Sequence, residues 1–141
     1  MAIRVVRLGA PRAANEGPRL GTVRRPPRGV KKEEIATRNY YDLWLPDLSP
    51  TAAVVSWAQS EPWTPARWEK FARAYRREMR APEQQRLIAL LAALSRTADF
   101  SIGCYCEDAL HCHRTVLAEL LAAAGATMAP PAPDRANAPS P

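Results

Sequence analysis

Phe100-Ser101-Ile102-Gly103-Cys104-Tyr105 is a compact, largely apolar run, and Cys106-Glu107-Asp108-Ala109-Leu110-His111 after it is mostly polar. Cys112-His113-Arg114 then leads into a helical repeat in which Val116, Leu117, Leu120 and Leu121 share one face, with Gly125 as a natural C-cap. Strand, short loop, helix is the grammar of a layered α/β domain. In that architecture ligands gather where a strand ends and the next helix begins. The same stretch holds all three cysteines and both histidines of the chain within ten positions. Its place in the fold, more than its cysteine count, marks it as the candidate site.

Earlier in the chain, residues 3–8 are short, β-branched and followed by Gly9, and read as a first strand. Residues 19–24 read as a second strand, closed by Pro26-Pro27, neither of which can donate to a ladder. Residues 39–45 alternate, with Tyr41, Leu43 and Leu45 on one side, and read as a third. Ser49-Pro50 and Thr64-Pro65 each pair a capping residue with proline, predicting helices that run to about Ala58 and Met79. In the second of these Trp68, Phe71, Ala72, Tyr75 and Met79 form a stripe read as core rather than as a stacking platform for bases. Pro82 opens a further helix whose buried face is predicted to be Leu87, Leu90, Leu91 and Leu94.

The 141 residues suit one domain, with 47% apolar and 24% charged side chains. No apolar run approaches the length of a membrane span, and the start lacks the apolar core of a secretory signal. With an odd number of cysteines, a reducing cytoplasm is expected. Residues 126–141 hold five prolines in sixteen positions and read as a disordered tail. The net charge of +6 is uneven: residues 1–40 carry ten basic against three acidic side chains, a balance of +7. Such a field suits an anionic ligand or nucleic acid.

The cysteine–histidine window supports several chemistries. Structural zinc on Cys104, Cys106 and Cys112, with His111 or His113 as fourth ligand, has the right ligand types. Two cysteines two apart on a strand, however, leave little room to wrap an ion. Reactive chemistry at a helix start is the second reading. Free N–H groups and the dipole favour an anion and depress the pKa of a nearby thiol, and Arg114 deepens the effect. The bland reading makes the cysteines small core residues.

Gly103-Cys104-Tyr105-Cys106-Glu107-Asp108 and Cys112-His113-Arg114, with upstream Arg24-x-x-Pro27-Arg28-Gly29-x-Lys31-Lys32 and the helix bearing Phe71 and Tyr75, resemble the bacterial YeaO-like family, domain of unknown function 488. The resemblance spans residues 3–125 and implies a small three-layer α/β protein without an established activity. It also implies relatives that lack a thiol at positions like Cys104 or Cys112 and keep a histidine at the position like His113. Pro26 stands where the family pattern leads one to expect tryptophan.

The resulting expectation is a single three-layer domain over residues 1–125, Rossmann-like or flavodoxin-like, with a small, mostly parallel sheet flanked by helices. Its site is an anion pocket in which Arg24 and Arg28 converge with His113, Arg114 and the last helix's N-terminus on a phosphate-bearing or nucleotide-like small molecule, with Cys104 as a further ligand-binding residue. His113 is the candidate for proton transfer, Cys112 for nucleophile, and Asp42 or Glu107 for orienting the histidine. No cofactor is expected in this reading and zinc is the alternative. Two other classes stand beside it: a nucleic-acid-associated module using the basic first third, and a redox sensor using the three cysteines. No membrane partner is expected.

Overall fold

The computed structural model describes residues 1–130. Four strands form one parallel sheet: β1 (Ile3–Arg7), β2 (Arg19–Gly21), β3 (Leu43–Trp44) and β4 (Phe100–Cys104), in spatial order β1-β4-β2-β3. The apolar run that begins at Phe100 therefore lies at the sheet's centre. β4 is buried at all five positions. Its register sets Gly103 between Val6 and Gly21. A Cβ at Gly103 would stand 2.5 Å from Leu8 Cδ2 and 2.9 Å from the Val6 carbonyl oxygen. Glycine is required there by close approach, and the residue after it is Cys104.

Among the described residues four α-helices form, α1 (Ala52–Gln59), α2 (Pro65–Glu78), α3 (Pro82–Leu94) and α4 (His113–Ala123), and α2 and α3 open at the expected prolines. Thr64 caps α2 by accepting from the Arg67 N–H, with Pro65 in the first turn. α4 closes with a Schellman pair: the Gly125 N–H donates to Ala122 and the Ala126 N–H to Leu121, with Gly125 at φ 94°. α2, α3 and α4 bury Tyr75, Met79, Ile88, Leu91, Val116, Leu117 and Leu121 against Ile3, Leu20, Phe100 and Ile102. Each such side chain contributes about 1.5–3 kcal/mol of transfer free energy. The Tyr75 hydroxyl keeps a partner inside this core by donating to the Leu48 carbonyl at 2.7 Å.

Sheet and helices together give the three-layer α/β class, with strands that are all parallel rather than mostly so. The second face is covered by turns, where Leu8, Val23, Ile35 and Tyr41 pack with Cys104 and Cys112.

Local details depart from the sequence reading. Ser49 does not cap α1: it is buried, ends a 3-10 turn over Pro46–Leu48, and its hydroxyl donates to the Pro50 carbonyl. α1 starts after Thr51 instead. The buried face of α3 is Ile88, Leu91 and Ala92, which leaves Leu90 and Leu94 exposed. Ser95 extends that face and ties Ala92 to Thr127 through its hydroxyl. β3 shrinks to two exposed residues. Asn39 turns the chain at φ 66°, and Asp42 is drawn off to Arg12 and the Arg19 N–H. The chain stays docked past 125, where Thr127 and Ala129 bond to Ile3 on both sides and Ala126 and Met128 pack on the core. The remainder of the tail expected to be disordered lies outside the described residues.

Candidate functional site

β4 ends at Cys104, so Cys106 already lies in the turn beyond it and is exposed. The chain then crosses a 3-10 turn over Ala109–His111, capped by Asp108 accepting from the Leu110 N–H, and enters α4 with Cys112 as N-cap. This path folds the three thiols onto one another. Their sulfurs all lie within 4.8 Å of each other, and Cys104 Sγ donates to Cys106 Sγ at 3.7 Å. Cys112 is buried to 1% exposure and Cys104 to 7%.

Two residues of α4 hold this arrangement. Arg114, itself buried, donates from one Nη to the carbonyls of Cys104 (3.2 Å) and Cys106 (2.8 Å). It shapes the turn and sets its charge beneath the sulfurs. His113 is buried with Nε2 at 2.6 Å from the Thr22 carbonyl, at the end of β2, and Nδ1 at 4.0 Å from Cys112 Sγ. Thr22 is tied to β4 in turn, its hydroxyl and N–H both donating to the Gly103 carbonyl.

The electrostatics separate the thiols. The hydrogen bond from Cys104 and the nearby Cys112 thiol, helped by the charge of Arg114, hold the Cys106 thiol far below its ordinary range. By the same contacts, with burial adding, Cys104 is pushed up to about 11 and Cys112 higher still. These contacts favour the thiolate form on the exposed sulfur, Cys106, to which the buried Cys104 thiol donates. Burial drops His113 to about 4, so its imidazole is neutral at pH 7.

The other residues singled out by sequence are placed as follows. Arg24 donates to the carbonyls of Pro46, Ser49 and Pro50, pinning the turn before α1. Arg28 is exposed. Its loop is brought against the thiol turn because the Tyr105 hydroxyl donates to the Arg25 carbonyl at 2.9 Å. Arg25, Arg28, Lys31 and Lys32 are exposed and form no ion pair among the described residues. Asp42 serves Arg12 and Glu107 pairs with Arg7. The group that orients His113 is a backbone carbonyl, which sequence reading did not find.

His111 stands apart from the sulfurs. It bonds Asp108 at 2.5 Å and stacks on Trp63, with centroids 5.7 Å apart, and Trp68 meets it edge-on. The stripe of α2 read as core is buried at Phe71, Tyr75 and Met79, while Trp68 joins this aromatic corner under the thiol turn. Alternation along residues 102–106 was the one available signal that Cys104 and Cys106 face the same way.

Among known proteins, a family model described as the active DUF488-N3 subclade matches residues 3–125. No curated protein and no solved structure matches the chain.

Proposed function

The chain belongs to the DUF488 family, and we propose that it is a thiolate-dependent enzyme whose Cys106 sulfur, at the C-terminal end of the sheet, bonds to an electrophilic centre of a small anionic substrate as a leaving group departs from that centre with its electron pair. One observation carries this reading: of three clustered thiols, Cys106 is the exposed one, and it accepts from the Cys104 thiol, a contact that holds its own thiol below the ordinary range. A thiolate is the nucleophilic form, and a preformed one needs no separate base. The description of the matched subclade as active agrees with a chain that keeps such a nucleophile.

Arg114 and the start of α4 supply a positive field fixed by the fold. The exposed Arg25 and Arg28 lie on the loop whose backbone is tied to Tyr105, and they are the cations we assign to meet an anion arriving from solvent. Cys112 is too buried and too strongly protonated for the nucleophile's role, so the attacking thiol moves from Cys112 to Cys106. His113 becomes a positioning residue: its Nδ1 faces Cys112, and the imidazole is buried.

The test is the pH dependence of iodoacetamide alkylation, read by mass spectrometry. One thiol per chain should react at close to its plateau rate below about pH 6, where an ordinary cysteine is almost wholly protonated. Cys106→Ser should remove that reaction. A single alkylation step with its midpoint near the ordinary thiol value of about 8.5 overturns the reading.

A further inference from the structure

We propose that Cys104, Cys106 and Cys112 form a three-thiolate site for one thiophilic metal ion, zinc in the first instance, with the fourth coordination position open to solvent beside Cys106. The proposal uses the same sulfurs as the nucleophile reading but does not need its chemistry. It would give that nucleophile a regulator, because a thiolate bound to metal is no longer free to attack.

The geometry nearly fits already. Zinc–thiolate bonds of about 2.3 Å set tetrahedral sulfur separations of about 3.8 Å. Cys104 and Cys106 stand at 3.7 Å, and the widest gap in the trio is within 4.8 Å, so closure needs at most about 1 Å. Cys104 ends a buried strand and Cys112 caps a helix, so two ligands sit on rigid elements. Cys106 is on the exposed turn and is the one free to move inward. The objection raised by sequence, two cysteines on one strand, lapses because β4 stops at Cys104.

The surroundings match such a centre. Three thiolates around a doubly charged ion leave one negative charge, which the buried Arg114 offsets from below. His113, with Nε2 held by the Thr22 carbonyl, places its ring against Cys112 as an outer group. It is not within the 4.8 Å ring of sulfurs. His111, one of the two histidines that sequence spacing offered as fourth ligand, is engaged by Asp108 and Trp63 and takes no part. Soft sulfur ligation with an open position selects zinc, cadmium or copper(I) over magnesium or calcium.

The experiment uses full-length, reduced, metal-free protein titrated with zinc against a chromophoric chelator, and with cadmium to read thiolate-to-metal absorption. One equivalent should bind, with cadmium absorption corresponding to three thiolates. Cys106→Ser, exposed and so tolerated by the fold, should weaken binding more than about tenfold. His111→Ala should leave it unchanged. Zinc-loaded wild type should resist alkylation until a chelator is added. Binding of less than one equivalent, cadmium absorption without sulfur character, or equal weakening by His111→Ala overturns the proposal. The two readings fail separately. Low-pH alkylation without metal binding leaves the nucleophile and removes the metal site, whereas tight metal binding without low-pH alkylation does the reverse.

Discussion

His113 Nε2 lies 2.6 Å from the Thr22 carbonyl oxygen, bridging the first turn of α4 to the end of β2. A carbonyl only accepts, so Nε2 carries the hydrogen. In the neutral ring Nδ1 then presents its lone pair toward Cys112. One backbone group thus fixes the tautomer of the one histidine that touches a cysteine of the cluster.

This fixes a pH dependence of stability for the metal-free protein. The folded imidazole titrates near 4 and the unfolded one near 6.5. Below 6.5 the unfolded chain binds a proton that the folded chain refuses, so stability is full above about 6.5 and falls as pH drops toward 4. The loss is about 2 kcal/mol at pH 5 and reaches about 3 kcal/mol only below about pH 4, from a difference of roughly 2.5 pKa units. Urea unfolding at pH 7 and pH 5 should show the drop, and His113→Gln should flatten it. An equal drop in both proteins contradicts the assignment.

Arg114→Ala removes the donor shared by the Cys104 and Cys106 carbonyls and the charge under the sulfurs. A loss of about 1.5–3 kcal/mol in urea unfolding is expected. The midpoint for alkylation of Cys106 should move upward at the same time. A destabilised protein whose alkylation profile does not move would show that Arg114 only shapes the turn.

Gly103→Ala should cost about 1–3 kcal/mol, because the new methyl meets Leu8 Cδ2 and the Val6 carbonyl in a closed space. Since residue 103 adjoins Cys104, low-pH alkylation is also expected to slow. Unchanged unfolding and alkylation would mean that the sheet relaxes freely at this point.

Chains ending at residue 125 and at residue 130 differ only by the docked part of the C-terminal segment. Ending at 125 deletes the Ile3–Thr127, Ala129–Ile3 and Thr127–Ser95 hydrogen bonds and the Met128 contact. Its melting temperature should lie several degrees below that of the chain ending at 130, at roughly 1 kcal/mol per 4–8 °C. Equal melting temperatures would show that this docking adds nothing.

Sulfate or phosphate should slow alkylation of Cys106 by occupying the approach to the thiolate, and Arg28→Ala should relieve that protection. A protective effect that every added salt reproduces equally, or that Arg28→Ala leaves intact, would point to general screening. Duplex DNA that protects in proportion to overall charge would favour the nucleic-acid alternative.

Fold class and the position of the cysteine cluster in the fold are legible in the amino-acid sequence. Period and punctuation at Thr64-Pro65, Pro82 and Gly125 are local signals set by backbone chemistry. The apolar run Phe100–Tyr105 before a helical repeat was enough to place the cysteines at a strand-to-helix junction. Where local signals competed with packing, they failed. Ser49 has the residue type of a cap but is buried in a 3-10 turn, and Leu90 and Leu94 have the right period but the wrong phase. The roles within the site come from tertiary contacts. The Cys106 thiol is lowered and the Cys104 thiol raised because the buried Cys104 donates to the exposed Cys106 at 3.7 Å, and His113 is held by Thr22, 91 residues away in the chain. A thiol's proton and a histidine's tautomer depend on distances of a few ångströms between segments far apart in sequence. No spacing along the chain encodes those distances.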